Sequence, residues 1–549
     1  MDNYQDIVDK KICDNKSIKD LLYYDGICYW WFIDFGIYNY ILNDTCPCQN
    51  QSTLQRAVWV LTDHFYPLWL LFSNIVHLVH VIIDTIVKYM YSSPPLFHNA
   101  IMYYFIDWEW RFDLKTQSLR NIYHSTIIEN LLPQKQINGI YDIGLLDGLT
   151  FTASKDVHSK EKRPLLPATD SMLYWSYSCY KKANKSRKYF KSVWKMLDDD
   201  QKWFDLWSQK TGWNKRLLKR MFKHLLLFSL PQAVERNQRT ANIIEKEQPS
   251  ILVMRNEQMV SGRSWVYLSR KYNLPTIGIQ HGEITNHPAY LYHNSSEVSS
   301  THKEIGISFP VPTVTCVWGQ AEYDLLVHDA GYPENQVIVT GNPRYDHLGY
   351  ADGVYSRTDF CKRHAIDPAT KIVLWLTQSH GFSVEENTAY LDEVLSTFQE
   401  LENVTLLIKQ HPMERQRDRD LIDEYCQLYK VNAPIIILNK MTDTTECIYI
   451  SDVIINKHST AGQEAVAFHK PMIIMDFSTV KDIGDYVKEG VAFPVYEPGH
   501  LQLTLLQIFS AKCEDMAANQ DVYIKRHLHK IDGSSAKRVA EVIKSFYEV

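Results

Sequence analysis

From Ser250 to Met475 the chain alternates between short apolar runs and longer amphipathic stretches, and this alternation constrains the fold more than any other feature. The first series predicts strands at 250–254, 276–280, 314–318 and 337–340, with helices at 261–272 and 320–330. The second series predicts strands at 372–376, 404–409, 434–438, 452–456 and 471–475. Helices are predicted near 386–401, 415–429, 443–449 and 460–468. Such spacing builds parallel sheets from βαβ units, so the chain is predicted to be an α/β protein with two doubly wound domains that face a cleft.

The length of the chain and its sequence before residue 250 predict further regions beside these two series. A chain of 549 residues is too long for one ordinary core. Residues 99–106 predict a strand, 119–132 a helix and 138–144 another strand. The predicted organisation is an aromatic-rich N-terminal region at 1–95, a Rossmann-like domain at 96–350 with a basic helical insertion at 170–247, a second Rossmann-like domain at 365–497, and further helices at 498–549.

Two stretches of the N-terminal region are apolar. The aromatic run at 29–35 predicts a buried strand or a buried helix. Residues 67–83 contain no Asp, Glu, Lys or Arg. A membrane span needs about 20 mostly apolar residues, so this stretch is short for a span. A buried helix is favoured, and a membrane-surface helix over 67–91 is the alternative.

The helical insertion carries two basic clusters with tryptophans between them. The basic residues are Lys181, Lys182, Lys185, Arg187, Lys188, Lys191 and Lys195, then Lys210, Lys215, Arg216, Lys219, Arg220 and Lys223. The tryptophans are Trp194, Trp203, Trp207 and Trp213. Such clusters are usually solvated helix faces, and the alternative is a surface for an anionic acceptor or an anionic membrane.

Composition excludes several classes of protein. A hydrophobic content of 45% and a charged content of 22% are typical of a folded globular chain. The net charge of −6 gives no indication of nucleic-acid binding. The ten cysteines are scattered, and the close pair Cys46 and Cys48 has no partner pair at zinc-site spacing, so no metal or other cofactor is predicted. The start M-D-N-Y-Q-D does not resemble a signal peptide, which favours the cytoplasm.

The sequence P-T-I-G-I-Q-H-G at 275–282 predicts a buried strand that ends on a histidine and a glycine. In an open α/β sheet, ligands bind beyond the carboxyl ends of the strands. A glycine allows the backbone to turn sharply there, and His281 is then placed to act as a general base. The alternative is a loop histidine that only hydrogen-bonds to backbone.

A carboxylate follows the preceding strand. Glu257 comes directly after Arg255 and Asn256. If the strands at 250–254 and 276–280 are neighbours, Glu257 is near His281 and orients or assists it. A surface ion pair is the other interpretation, and Glu283 is a rival carboxylate.

Two loops of the second series are suited to anions. K-Q-H-P at 409–412 ends a strand, which places Lys409 and His411 at the carboxyl edge of the sheet, with Pro412 blocking its continuation. H-S-T-A-G-Q-E at 458–464 opens a helix whose N-cap is Ser459 or Thr460. Free backbone N–H groups at such a helix start favour a phosphate, and Glu464 lies one turn further on, within reach of a ribose hydroxyl.

G-N-P-R-Y-D at 341–346 follows the last strand of the first series. Gly and Pro set a tight turn, so Arg344 is predicted to point into the cleft. A guanidinium there either clamps a diphosphate or holds Asp346.

Taken together, these motifs resemble a known group of enzymes. Q-H-G at 280–282, V-T-G-N-P-R-Y-D at 339–346, K-Q-H-P at 409–412 and H-S-T-A-G-Q-E at 458–464, followed by K-P-M-I-I-M at 470–475, are similar in order and spacing to the GT-B superfamily. The branch holds CDP-glycerol glycerophosphotransferases, capsule polysaccharide transferases such as polysialyltransferases, and UDP-N-acetylglucosamine 2-epimerases.

The resemblance implies a role for each matching residue. His281 would be the catalytic base. Arg344 would line the cleft. His411, Pro412, His458, Ser459 and Thr460 would bind the donor phosphate, and Glu464 the ribose. The first Rossmann-like domain would bind the acceptor and the second the nucleotide donor.

The sequence thus predicts a metal-independent transferase with a GT-B-like fold. It would move a sugar or polyol phosphate from a CMP-, CDP- or UDP-activated donor to a glycan or lipid-linked acceptor of a capsule or cell-wall polysaccharide, in the cytoplasm or at the inner face of the membrane. Two alternatives are a nucleotide-sugar 2-epimerase of the same fold and a non-catalytic scaffold of a glycan assembly complex.

Overall fold

The computed structural model describes the chain from residue 7 to residue 547 with gaps. Before residue 168 the described residues are 7–8, 10–12, 15–33, 37, 75, 101–106, 110–113, 118–121, 125–131 and 137–142. From 168 to 547 the gaps are 256, 258–259, 283, 285–297, 299–308, 379–383, 412–413, 415, 430–432, 440–441, 479–480, 483 and 511–513. The alternative helices proposed for 67–91 therefore lie outside the described residues, apart from Ile75.

The chain divides into two compact units. The first contains residues 1–317, 322–339 and 537–549, and the second contains 318–321 and 340–536. Each unit is built around one parallel sheet. The domain limits expected from the sequence stay predictions.

The sheet of the first unit has seven parallel strands among the described residues, in the order β11-β10-β9-β8-β3-β6-β7. The strands are β3 (Ile101–Ile106), β6 (Ile137–Asp142), β7 (Ala168–Asp170), β8 (Ile251–Met254), β9 (Thr276–Ile279), β10 (Val314–Val317) and β11 (Val337–Val339). Two antiparallel hairpins stand apart from it: β1 (Tyr23–Tyr24) with β2 (Ile27–Cys28), and β4 (Trp110–Asp113) with β5 (Ser118–Asn121).

The sheet of the second unit has six parallel strands in the described chain, in the order β14-β13-β12-β15-β16-β17. They are β12 (Lys371–Leu376), β13 (Val404–Lys409), β14 (Ile435–Leu438), β15 (Val453–Asn456), β16 (Met472–Met475) and β17 (Phe493–Val495). The strand order reverses between β12 and β15, which is the switch point where doubly wound sheets bind ligands. The predicted α/β class with two doubly wound, Rossmann-like sheets is confirmed.

Helices fill the connections. In the first unit they are α1 (Ile18–Leu21), α2 (Ser125–Leu131), α3 (Tyr177–Asp199), α4 (Gln201–Thr211), α5 (Lys215–His224), α6 (Leu230–Glu247) and α7 (Val260–Lys271). Later in the chain they are α8 (Gln320–Asp324), α9 (Arg357–His364), α10 (Val384–Glu400), α11 (Gln416–Tyr429), α12 (Thr444–Ile450), α13 (Ala461–Ala467), α14 (Leu501–Ser510), α15 (Glu514–Tyr523) and α16 (Ser535–Ser545). Short 3₁₀ helices lie at Tyr29–Phe32, Ser171–Tyr174, Glu334–Gln336 and Pro343–Gly353, and π-helical turns at Leu225–Ser229, Leu325–Asp329 and Ile524–Leu528.

Some elements differ from the predictions. The helix expected over 119–132 is a strand, β5, followed by the shorter helix α2. The aromatic run at Tyr29–Phe32 is a buried 3₁₀ helix. Strand β17, at the edge of its sheet, was missed because Pro494 within it is unfavourable for a strand anywhere except at an edge.

The tryptophans of the helical insertion belong to a core. Trp203 and Trp207 are fully buried and Trp213 is nearly so. They pack in one cluster with the aromatic run at Tyr29–Phe32. Trp203 and Phe222 meet edge to face with ring centroids 4.9 Å apart. The aromatic residues therefore build the interior of the first unit, and only the basic residues between them remain for a surface. No helix in the described part of the chain is long and apolar enough to span a bilayer.

Candidate functional site

The strand pair behind His281 has the predicted arrangement. Strands β8 and β9 are parallel neighbours, with Met254 opposite Gly278. The partly buried ring of His281 hydrogen-bonds the backbone of Arg255, the residue that follows β8. Burial, reinforced by the charge of Arg255, lowers the pKa of His281 to about 4, although the hydrogen bond opposes this change. At neutral pH the imidazole is therefore uncharged, which is the form a general base needs.

The turn that carries His281 is stabilised by its own side chains. The amide of the buried Gln280 donates to the carbonyl of Gly282 over 2.9 Å. Gly282 does not have the positive φ of a left-handed residue, and a Cβ atom there would meet no atom within 4 Å. The backbone therefore bends at Gly282 as expected, but neither its φ nor its surroundings require a glycine there. Glu257 is buried two residues beyond Arg255, and its assisting role stays a prediction.

In the second unit, Arg344 and Glu464 come together as part of one cluster. A guanidinium nitrogen of Arg344 lies 3.7 Å from Oε1 of Glu464. The Thr445 hydroxyl donates to the other carboxylate oxygen, Oε2, over 2.6 Å. The Glu464 side chain is only 3% exposed, whereas that of Arg344 is 37% exposed. The half-exposed Arg344 side chain therefore lies beside the buried Glu464 carboxylate, and the hydrogen bond from Thr445 fixes the orientation of that carboxylate.

His347 contacts both Arg344 and Thr445 of this cluster. Its Nδ1 lies 2.7 Å from the carbonyl of Arg344, and its Nε2 lies 3.2 Å from the Thr445 hydroxyl. Because a carbonyl can only accept, Nδ1 carries the hydrogen. Neither His347 nor Thr445 was expected from the sequence, and only the position of His347 directly after the motif at 339–346 would have drawn attention to it.

Asp346 has a separate task. Its carboxylate accepts the backbone N–H groups of Ser535 and Ala536 at the start of α16, over 2.7 and 2.8 Å. The guanidinium of Arg344 thus lies beside Glu464, while Asp346 caps a helix. The diphosphate interpretation of Arg344 stays a prediction. The Tyr345 hydroxyl lies within 3.2 Å of both the Thr460 carbonyl and the Gln463 side chain, and so holds this turn against α13.

The loop after β13 is built differently from the expectation. The side chain of Lys409 is buried, and its amine donates to the Gln410 carbonyl over 3.0 Å. Burial lowers the pKa of Lys409. The amine therefore faces the protein interior and not a phosphate in solvent. Pro412 lies outside the described residues.

His411 is the more accessible residue of this loop. It is partly buried, and its backbone N–H donates to the Thr377 hydroxyl over 3.3 Å. The same hydroxyl donates to the buried Glu414 over 2.8 Å. Thr377 directly follows β12, so the ends of β12 and β13 are joined at the carboxyl edge.

The loop after β15 is a compact turn. The N–H of Ser459 donates to Asn456, and that of Ala461 to the Ser459 hydroxyl, each over 3.3 Å. Thr460 is the N-cap of α13, but its side chain makes no capping hydrogen bond. The backbone N–H groups of 459 and 461–463 are thus engaged within the turn, contrary to the expectation of free donors. The N–H of His458 donates to the Gln378 side chain over 2.8 Å, which bridges the switch point between β12 and β15.

Comparison with known proteins supports the predicted grouping. Residues 328–545 match the family model described as CDP-Glycerol:Poly(glycerophosphate) glycerophosphotransferase. The predicted resemblance is confirmed. A curated relative is the teichoic acid ribitol-phosphate polymerase TarL of Staphylococcus aureus (strain NCTC 8325 / PS 47), 24% identical over 223 residues. That alignment covers 38% of this chain and only 37% of the relative.

Two solved structures are similar in fold. The UDP-GlcNAc 2-epimerase of Neisseria meningitidis bound to UDP-GlcNAc is 13% identical, with a TM-score of 0.49, covering 81% of this chain and 99% of that chain. The wall teichoic acid polymerase TagF is 13% identical, with a TM-score of 0.43, covering 87% of this chain and 98% of that chain. The match over residues 328–545 includes every described strand of the second sheet but only β11 of the first.

Proposed function

We propose that this protein is a GT-B-type transferase that moves a polyol phosphate from a cytidine-diphosphate donor to a cell-surface polymer. The match of residues 328–545 to the glycerophosphotransferase model is the observation that carries the proposal. The cluster of Arg344, Thr445 and Glu464 supports it, because a buried, oriented carboxylate suits the hydroxyls of a ribose. The sugar donors, the capsule acceptor and lipid linkage considered from the sequence remain further variants of the same proposal.

In this proposal the oxygen of an acceptor hydroxyl attacks the phosphorus of the donor. The bond from that phosphorus to the nucleotide breaks, and nucleoside monophosphate leaves. His281 takes the hydroxyl proton, and its neutral state at pH 7 suits it for this step. Arg344, His411, His458, Ser459 and Thr460 are assigned to the phosphates and Glu464 to the ribose. The buried amine of Lys409 is assigned a supporting role in the loop that presents His411 and Pro412.

The donor is tested by a thermal-shift panel of CDP-glycerol, CDP-ribitol, CMP, UDP and UDP-N-acetylglucosamine. A donor at 100 times its Kd stabilises the folded protein by about 2.7 kcal/mol. Glu464→Gln keeps the size of the side chain but weakens acceptance of ribose hydroxyls, so we expect its Kd for the cytidine donor to rise about tenfold, or about 1.4 kcal/mol. The exposed Glu497→Gln is the matched control.

Other outcomes of this panel would decide among the alternatives. A shift with UDP-N-acetylglucosamine and none with cytidine compounds would replace the proposal with the epimerase. No shift with any nucleotide, for protein shown to be folded, would favour the non-catalytic scaffold. An equal loss in Glu464→Gln and Glu497→Gln would remove Glu464 from the donor site.

We infer in addition that the basic face of α3 binds the polyanionic acceptor. From Tyr177 to Leu197 this helix has seven basic residues and no acidic residue. Lys181, Lys185 and Lys188 recur at helical spacing and are all exposed. A row of solvated ammonium groups attracts a chain of phosphates, and the attraction weakens as salt rises.

The acceptor surface is tested with a soluble poly(glycerol phosphate) and with vesicles of phosphatidylglycerol. The triple variant Lys181→Gln/Lys185→Gln/Lys188→Gln is expected to bind the polymer at least about tenfold more weakly at low salt, since each exposed charge contributes a fraction of a kcal/mol that adds over the row. Binding of the wild type is expected to fall steadily with added salt.

A second triple variant separates this face from net charge alone. Lys362→Gln/Lys525→Gln/Lys537→Gln removes three exposed lysines elsewhere and is expected to bind the polymer normally. Equal weakening by both triples would contradict a dedicated surface. Binding to the vesicles but not to the polymer would assign the face to the membrane instead.

A further inference from the structure

The Thr445 hydroxyl lies between two side chains that can both accept its single hydrogen. It is 2.6 Å from Oε2 of Glu464 and 3.2 Å from Nε2 of His347. Thr445 is in the first turn of α12, Glu464 is on α13, and His347 is on the 3₁₀ helix at Pro343–Gly353. Three elements of the second unit therefore meet at one hydroxyl, which can donate to only one of the two side chains.

The hydrogen of this hydroxyl points to Glu464. A hydrogen bond from a hydroxyl to a carboxylate is charge-assisted and about 2.5–2.7 Å long, as this one is, whereas the contact with His347 is longer. An ionised carboxylate only accepts, and the guanidinium of Arg344 lies 3.7 Å from its other oxygen. Thr445 therefore donates to Glu464 and has no second hydrogen for His347.

His347 must then donate on both sides of its ring. Its Nδ1 carries a hydrogen, because it lies 2.7 Å from the Arg344 carbonyl. Its Nε2 faces a hydroxyl oxygen whose hydrogen is directed to Glu464, so that contact is attractive only when Nε2 also carries a hydrogen. An imidazole with hydrogens on both nitrogens is the cation. The three side chains, called here the His347–Thr445–Glu464 triad, thus join an imidazolium to a carboxylate through a hydroxyl.

We propose that His347 is a positioning residue for Glu464 and acts through Thr445. The charged imidazole donates to the hydroxyl oxygen and so directs the hydroxyl hydrogen to the carboxylate. When Nε2 loses its hydrogen it becomes an acceptor, and it then competes with Glu464 for the same hydrogen. The carboxylate loses its fixed orientation in that state. This inference rests on the proposed function, in which Glu464 binds the ribose of the donor.

The other charged side chains next to the triad have partners of their own. These are Asp443 with the Tyr355 hydroxyl and the N–H of Thr445, Glu446 with Arg363, and Asp346 with the N–H groups of Ser535 and Ala536. Glu464 is the acidic side chain that shares a hydrogen-bond partner with His347. Its charge therefore balances that of the imidazolium, and Arg344 lies on the opposite side of the carboxylate.

The first test examines His347 in the full chain without any nucleotide. Nitrogen NMR of ¹⁵N-histidine-labelled protein distinguishes ring nitrogens with and without hydrogen, and His347→Gln identifies the signals of His347. We expect hydrogens on both nitrogens at neutral pH. Glu464→Gln removes the balancing charge, so its His347 is expected to lose the hydrogen on Nε2. The exposed Glu497→Gln is the control and should leave both hydrogens in place.

The second test is a double-mutant cycle that measures the Kd for CDP-glycerol. His347→Gln and Thr445→Val are each expected to weaken binding about fivefold, the usual effect of one lost hydrogen bond. The double variant should bind no more weakly than the worse single variant, because both changes act through the same hydroxyl. Thr445→Ser keeps the hydroxyl and should bind as the wild type does. His328→Gln, at a side chain 70% exposed, is the control.

The pH gives a third reading of the same coupling. Binding of CDP-glycerol to the wild type should weaken as the pH rises and the Nε2 signal of His347 loses its hydrogen. In His347→Gln this parallel weakening should be absent. The urea midpoint of each variant shows whether it is folded at the pH used.

Several results would contradict the triad. One is a single hydrogen on the His347 ring of the wild type at neutral pH, with CDP-glycerol bound normally. Others are losses that multiply in the double variant, and equal weakening by Thr445→Ser and Thr445→Val. A wild type that binds no CDP-glycerol would instead overturn the proposed function and the positioning role with it, so the two failures are distinguishable.

Discussion

Under the proposed function, His281→Ala is expected to lower the rate of transfer by about 10²–10⁴-fold, the usual contribution of a general base, while the protein stays folded. The imidazole is held by the Arg255 backbone after the neighbouring strand, and the low pKa of about 4 keeps it neutral. Release of nucleoside monophosphate in the presence of donor and acceptor measures the rate. His328→Ala is the control, because the side chain of His328 is 70% exposed. Turnover of His281→Ala at the wild-type rate would assign the base elsewhere or favour a scaffold.

The same histidine gives a pH dependence. Its folded pKa of about 4 lies below the ordinary value of 6.5, so between these values the unfolded chain takes up a proton that the folded chain does not. Stability is therefore expected to fall as the pH drops from 6.5 towards 4. The partly buried His224, whose pKa desolvation also lowers to about 4, acts in the same direction. The loss should be smaller in His281→Ala, and an identical pH profile of the urea midpoint in both proteins would contradict the low pKa of His281.

Lys457→Met is expected to destabilise the second unit by about 3–5 kcal/mol, because it removes the partner of a buried charge. Asp476 is 0% exposed, and the ammonium of Lys457 lies 3.4 Å from its Oδ1. Equilibrium urea denaturation measures the change. The double variant Lys457→Met/Asp476→Asn should recover part of the stability, since no charge is then buried.

An exposed ion pair serves as the control for this substitution. Lys488 and Asp485 lie 3.2 Å apart, with side chains 74% and 53% exposed. Lys488→Met should cost less than about 1 kcal/mol, because solvent screens such pairs. If Lys457→Met cost no more than Lys488→Met, the hydrogen bonds that Asp476 accepts from Ser478 and Tyr390 would suffice to hold its charge.

The sheets were predictable because parallel strands buried on both faces need continuous apolar runs. Ile251–Met254 and Met472–Met475 consist of such residues, and both are strands. The helix predicted over 119–132 begins too early, because Leu119 belongs to a strand that pairs with Trp110–Asp113. The apolar pattern of 119–132 alone does not indicate this pairing. Tertiary pairing there outweighed local propensity.

The candidate site was predictable only as far as strand ends determine position. Arg344 and Glu464 lie together although 120 positions separate them in sequence. Both were predicted as site residues because they belong to the motifs at 339–346 and 458–464. The orienting Thr445 was missed because a threonine near a helix start is ordinary in sequence. The inward direction of Lys409 was missed because a long, flexible side chain can turn either way from the same backbone position.

The assignment of residues 537–549 to the first unit bears on the order in which the molecule assembles. Domains of a growing chain usually fold as units, the N-terminal one first. Here Val539, Ala540 and Ile543 of α16 are buried, yet they emerge from the ribosome only after the whole of 340–536 has been synthesised. The first unit therefore lacks α16 while the second unit is being synthesised. The second unit can reach its native state earlier, although most of it is encoded later.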